Sequence, residues 1–339
     1  MSLADIWYAL FVAIIAGYLV LDGFDIGVGV LHLPLARTDL ERRTLLNSIG
    51  PVWDGNEVWL ILGGGVLFAV FPLVYASLFS GFYLAFVLVL VTLILRAVSI
   101  EFRSKEPGTR WRTGWDVVFW ASSLGLALLL GVAFGNVVNG VPLDSAGNID
   151  VTLVELLSPF ALLFGVASVA MFLMHGAIYL SMKVEGDLLV RVNALVPGLM
   201  FAFLVLINVV LVAMVATDQQ ITRRYTRDIW PLIFPLAALL AYISVWRMLR
   251  VERHFEAFLC SGAMIGLLLI SGAIGLYPNL LISTTNPAYD LTVSNAAAAD
   301  NTLLVALVVA VIGIPFILAY TAGVYYIFRG RTQVEPEGY

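Results

Sequence analysis

The sequence predicts an all-α, polytopic membrane protein with nine transmembrane helices, and three observations carry that reading. Of 339 residues, 61% are hydrophobic and only 12% are charged, with a mean hydropathy of +0.98. Soluble domains are roughly half apolar and about a quarter charged, so a cytosolic or secreted globular protein is excluded. Apolar runs of roughly 20 residues, the length needed to cross a bilayer core, occur nine times. None of these runs alternates at period two, as a membrane β-strand of about ten residues would. The net charge of -5 is spread thinly and leaves no basic stripe for nucleic acid.

The first run, 7–33, follows no basic leader and is too long for a signal-peptide core, so it reads as a retained span. Its inner half holds Asp22-Gly23-Phe24-Asp25-Ile26-Gly27-Val28-Gly29. Asp22 and Asp25 are three residues apart and share one helical face. Asp25 lies about eight residues, or ~12 Å, from the inner end of the span. The glycines allow a second helix to approach closely. An acid at this depth costs about 2.5–3.5 kcal/mol on insertion scales and is by default a sign of function; snorkelling or capping at a broken helix is the structural alternative.

The second run, 50–72, opens with Gly50-Pro51-Val52-Trp53-Asp54-Gly55-Asn56-Glu57-Val58-Trp59. Pro51 suits a first helical turn, where its missing N–H leaves no bond unmade. Asp54 near a helix N-terminus is favoured by the helix dipole, so capping competes with function there. Capping does not account for Glu57, flanked by Trp53 and Trp59. The third run, 77–101, carries Arg96 near its inner end, either as an ordinary snorkelling arginine or as counter-ion to the acids.

The remaining runs are 115–139, 155–182, 195–216, 229–250, 257–278 and 302–328. His175, in the fifth, reads as a packed, hydrogen-bonded histidine; His32 and His254 fall at inner membrane edges. Cys260 is the one cysteine, which excludes an internal disulfide and any cysteine-pair metal or heme motif. Trp111, Trp115, Trp230 and Trp246 stand near span ends, as interfacial residues should.

With the N-terminus outside, fifteen of the 18 Lys and Arg fall on inner segments. Only Arg223, Arg224 and Arg227 fall outside. Cytoplasmic loops carry this excess, so the C-terminus is expected inside. Ionisable residues within spans then collect in the first three, at similar depth on the inner side. Asp22, Asp25, Asp54, Glu57 and Arg96 are expected to form an inner-leaflet pocket that relays protons or binds a cation.

Together these strings, with Asn47-Ser48-Ile49 preceding Gly50, resemble subunit II of the cytochrome bd-type quinol oxidases. Further matches are Phe79-Ser80-Gly81-Phe82-Tyr83, Arg103-Ser104-Lys105, Gly131-Val132-Ala133-Phe134-Gly135-Asn136 and Gly140-Val141-Pro142. The likeness runs from about residue 15 through the last span and is strongest in the first 145 residues. It implies nine helices arranged as two four-helix bundles plus one peripheral helix. On this sequence the bundles would be 1–145 and 146–280, with 281–339 as outer loop, ninth helix and cytoplasmic tail.

The resemblance further implies an obligate heterodimer with a subunit I that carries two hemes b, one heme d and the quinol site; small single-helix accessory subunits can join such complexes. The substrates of the complex would be quinol and O2, and its place the cytoplasmic membrane of a bacterium or archaeon. No cofactor or metal is expected on this chain. The family's proton path would use Asp25, Asp54 and Arg96, supported by Trp53 and Asp22. Glu57 stands where some members have Gln. Two other function classes compete: a proton- or cation-coupled secondary transporter, disfavoured by the one-sided acids and the absence of an evident repeat, and a structural scaffold.

Overall fold

In the computed structural model, which describes residues 2–332, the chain is built around its first helix. Helix α1 (Leu3–Leu35) opens on a capping box, in which Ser2 Oγ accepts from the Asp5 backbone N–H and Asp5 accepts from the Ser2 N–H. From Asp22 to His32 every residue of α1 is buried. A helix apolar on every side must be covered on every side, and α1 packs against four other long helices. Its closest approach is to α8 (Pro159–Lys183), where Gly27 faces Gly176. A side-chain carbon on Gly27 would collide with the Phe172 carbonyl oxygen, and one on Gly176 would lie 2.6 Å from the Gly27 carbonyl carbon.

Helix α2 (Asp39–Ile49) lies in what the sequence reads as an inner loop. Thr38 and Glu41 form its capping box, and it buries Leu45, Leu46, Ser48 and Ile49. Eleven residues with charges at one end and leucines at the other are too short and too mixed for a hydropathy scan to register.

The second span departs from the expected straight helix. Helix α3 (Trp53–Val70) and helix α4 (Pro72–Gly81) meet at a 120° bend. Phe71, at φ -125° and ψ 62°, is non-helical and buried. The residue before a proline is driven out of the helical region by the pyrrolidine ring, so the break falls where Pro72 dictates. Helix α4, ten residues and ~15 Å long, does not cross a bilayer by itself. The third span, α5 (Tyr83–Phe102), starts six residues later than the run read from the sequence.

Helix α6 (Thr109–Asn139) is followed by the short α7 (Leu153–Leu156), then by α8, α9 (Gly186–Ala216) and α10 (Gln220–Arg227). After α11 (Ile233–Arg250), α12 (His254–Leu276) and a small hairpin of β1 (Asn279–Leu281) and β2 (Leu291–Thr292), α13 (Asp300–Ile327) completes the described chain. Among the described residues, eight helices are long and apolar enough to cross a membrane, and the bent α3–α4 pair makes nine.

Helices α1, α3, α5 and α6 form one packed set, and α8, α9, α11 and α12 a second; α1 and α6 lie against α8 where the sets join. Helix α13 touches α3 and α1 and buries only Leu303. At the end of the bundle that the sequence reads as outer, the hairpin is pinned by Asp290, whose carboxylate accepts from the Ser283 backbone N–H at 2.7 Å and from Asn279 Nδ2 at 3.0 Å. At the end read as inner, Lys183 Nζ donates to the Phe328 carbonyl at 2.6 Å, and Arg331 donates to the carbonyls of Ser181 and Val184. The tail expected in the cytoplasm lies, from residue 333, outside the described residues.

Candidate functional site

Asp22 and Asp25, on one face of α1, are both fully buried, and so is Arg96 on α5. Arg96 Nη2 donates to Asp22 Oδ1 at 2.8 Å and its Nη1 to Glu57 Oε1 at 2.5 Å. One guanidinium thus joins α1, α3 and α5. Its rigid fork can serve two carboxylates at once, which a lysine ammonium does less well. Asp25 is held separately: Asn56 Nδ2 donates to its Oδ2 at 2.6 Å, and Tyr325 on α13 donates to Asn56 Oδ1 at 3.0 Å.

The cluster is over-supplied with acid. Asp22, Asp25 and Glu57 face a single guanidinium, so full ionisation would leave surplus negative charge in an apolar bundle, where unpaired charge is strongly disfavoured. It is also rich in unpartnered polar atoms. Tyr18 Oη, Asp22 Oδ2, Asp25 Oδ1, Trp59 Nε1 and Arg96 Nε are all buried without a hydrogen-bond partner. Groups of this kind hold protons or ordered water, since buried polar atoms are otherwise satisfied.

Asp54 and Trp53 stand apart from this set. Asp54, in the first turn of α3, is exposed on the surface of the chain, and no hydrogen bond or ion pair joins it to another described residue. Trp53 is 8% exposed and packs into the apolar core with residues such as Leu46 and Ile49. Of the six residues picked out by sequence, the structure brings four together: Asp22, Asp25, Glu57 and Arg96.

A second buried ionic group lies two turns nearer the inner side. Asp116, fully buried on α6, accepts from Arg42 Nη1 at 2.7 Å and from Arg103 Nε at 2.5 Å. His32 Nε2 lies 2.6 Å from the same carboxylate. Arg103 also bonds Asp39, which in turn pairs with Arg112 at 3.0 Å. The sequence reading confined span charges to the first three spans; Asp116, at the start of the fourth, is an addition to that reading. The available signal was spacing: His32 follows Asp25, and Arg103 follows Arg96, by seven residues each. Asn56 stood within a motif but had no assigned part, and nothing local marks Tyr325.

His175 has Nδ1 on Ser261 Oγ at 2.7 Å and Nε2 on the Val20 carbonyl at 3.0 Å, with its ring stacked on Phe258. His32 Nε2 is taken by Asp116 and His254 Nδ1 by Ser181. Among the described residues, no group of three or more His, Cys, Asp or Glu side chains is placed to hold a metal ion.

Comparison with known proteins places this geometry in a family. The sequence matches the family described as cytochrome bd terminal oxidase subunit II over residues 3–328. It is 35% identical over 341 residues to the cytochrome bd ubiquinol oxidase subunit 2 of Bacillus subtilis, covering 100% of this chain and 99% of that one. It is 36% identical over 364 residues to the cytochrome bd-I ubiquinol oxidase subunit 2 of Escherichia coli, covering 97% and 95%. A chain of the bd oxidase from Geobacillus thermodenitrificans shares the fold at a TM-score of 0.80 and 16% identity, covering 97% of this chain and 99% of its own. A family match over residues 3–328 and full-length relatives at 35–36% identity make the chain a member of the cytochrome bd terminal oxidase subunit II family.

Proposed function

We propose that this chain is the heme-free partner in a membrane complex that oxidises quinol and reduces O2 to water, and that it conducts protons from the cytoplasmic side toward the oxygen site. Its relatives are subunits of ubiquinol oxidases, and the quinol:O2 chemistry is carried over from them. Two hemes b and one heme d belong, in this reading, to subunit I, with which the chain forms an obligate heterodimer. Small single-helix subunits can bind the same assembly. The chain sits in the cytoplasmic membrane with its N-terminus outside and its C-terminus inside, as the distribution of Lys and Arg favours.

The observation that carries the proposal is a buried guanidinium shared by Asp22 and Glu57, with a third buried carboxyl, Asp25, held by Asn56 on the same helical face as Asp22, and with unpartnered oxygens on Asp22 and Asp25. Carboxyl groups accept and release protons, and they give ordered water the polar partners it needs in an apolar interior. Reduction of O2 to water consumes protons, so a reaction site buried in the membrane requires such a conduit. Arg96 holds the acids in place. Asp54, exposed on this chain, is assigned to the same path where α3 meets the partner. Trp53 anchors the start of α3 in the core. The acids are the transporter reading's one source of support, and that reading leaves the family membership unexplained.

The test is quinol-driven oxygen consumption by the intact purified complex, with heme content measured on the same sample. Asp25→Asn and Asp54→Asn are expected to slow turnover by about a hundredfold or more, the lower end of what a positioned proton-transfer group contributes, with the heme spectrum retained. Asn keeps size and hydrogen bonding but carries no proton. Arg96→Ala is expected to impair assembly instead, because it strands buried acids without a counter-charge. Full turnover in the Asp25→Asn/Asp54→Asn double variant would refute the proposal.

A further inference from the structure

The two buried ionic groups are stacked in register. On α1, His32 follows Asp25 by seven residues, and on α5, Arg103 follows Arg96 by seven. Two turns of helix return a side chain to nearly the same face about 10.5 Å further on. The inner group is therefore the storey directly below the acid cluster, in the same interior of α1, α5 and α6. Between the storeys stand Gly29, Ser99, Ile100 and Ser123, the last three almost wholly buried. Gly29 leaves room for Ser123 Oγ, with which any side chain there would collide. That hydroxyl has no hydrogen-bond partner, and neither has His32 Nδ1 below it or Asp25 Oδ1 above it.

The lower storey is the more exposed of the two, since in the upper one only Glu57, at 18%, is open to the surface. Asp25 and Asp22 are fully buried. The side chains of Asp39 and Arg112 are 47% and 30% exposed, and Arg42 is 25% exposed. Arg42 and Arg103 hold Asp116, and Asp116 holds His32, so the chain of contacts runs from the inner surface to a buried imidazole. The charged groups facing that imidazole are Asp116 from α6, Arg42 from α2 and Arg103 at the end of α5; Phe119 closes the remaining side edge-on at 5.2 Å.

We propose that His32, held by Asp116, is the loading station through which protons from the cytoplasmic side enter the acid cluster, with Ser123 as the hydroxyl between the storeys. The Nε2–H donates to Asp116 Oδ1, which leaves Nδ1 as the atom that gains a proton from water and gives it up again. The imidazolium forms only transiently, against an Asp116 carboxylate that Arg42 and Arg103 already share. On release the imidazole returns to neutral and the Asp25 carboxylate becomes a carboxylic acid. Imidazole is the side chain in this stack whose ordinary pKa lies near neutral pH, between the carboxylates and the tyrosines and arginines of the cluster.

This inference rests on the proton-conducting reading above, and the experiment separates the two. His32→Gln keeps a donor for Asp116 and loses the titrating nitrogen. In the intact complex with heme content measured, it is expected to lower oxygen consumption by about a hundredfold, and the loss should deepen as pH rises and protons become scarce. Ser123→Ala removes a hydroxyl that has no partner to strand and should also slow turnover. If His32→Gln lowers heme content, Ser123→Ala alone decides. Parental turnover with an unchanged pH profile in either fully assembled variant overturns the station. If Asp25→Asn is slow while His32→Gln runs at the parental rate, the entry point alone is wrong. If Asp25→Asn also runs at the parental rate, the conduit reading falls with it.

Discussion

The amide of Asn56 donates to Asp25 and accepts from Tyr325, so its two ends cannot exchange without breaking both bonds. That fixes Asp25 Oδ2 as an acceptor and leaves Oδ1 as the oxygen free to carry a proton. Asn56→Leu would leave a buried carboxyl and a buried phenol without partners, each at about 1–3 kcal/mol. Tyr325→Phe strands only the amide oxygen and should cost about 1 kcal/mol. Because the two residues share one network, their effects should be non-additive; thermal unfolding of the detergent-purified complex, run as a double-mutant cycle, checks this, and simple additivity would show the bonds to be incidental. Asp22, Asp25, Glu57 and Arg96 were legible in the sequence because a charge inside an apolar run is conspicuous. Tyr325 was not, since a tyrosine in a membrane helix is ordinary and this one lies 269 residues from its partner. Asp116 was missed because an acid at the first residues of a span reads as lying at the interface; two guanidiniums and an imidazole converge on it only after α2 and the end of α5 fold over it.

At the level of elements, hydropathy located the spans and the packing decided what it could not. The break at Phe71 falls at the end of the second run, 50–72, where hydropathy gives no sign that a further short helix turns away from the first; the stereochemistry of Pro72 marks it. Helix α2 is invisible to the same scan, yet it supplies Arg42 to Asp116. Helix packing at α1 and α8 depends on Gly27 and Gly176, where backbone meets backbone. Gly27→Ala should force these helices apart and destabilise by at least the 1–3 kcal/mol or so typical of overpacking. Gly266→Ala, on α12 with nothing within 4 Å of the added carbon, should be near neutral. Unfolding midpoints of the two variants in the purified complex test the contrast, and equal midpoints would contradict it.

Over the whole molecule, the asymmetry between the two ends of the helical bundle is the organising feature. Loops and a hairpin close the end that carries the N-terminus around Asp290, while the opposite half gathers α2, the capped end of α8 and both ionic storeys. The buried charges lie in the first helical set, on α1, α3, α5 and α6, and α13 completes the cluster from outside that set through Tyr325. The second set contributes His175, bonded to the Val20 carbonyl of α1, and Tyr179, which stacks on Phe24 of α1 and donates to the Ser48 carbonyl of α2, and so supports both helices without adding charge to the cluster. One half of the chain thus holds the buried charges and the other braces the helix that carries two of them. The most direct measurement is proton uptake. Complex reconstituted in liposomes with its cytoplasmic face outward, given reduced quinol and then O2, should take up protons from the outer medium, read by an impermeant pH indicator. The Asp25→Asn complex, with full heme content, should show that uptake slowed in step with its oxygen consumption; uptake and turnover at the parental rates would contradict the account.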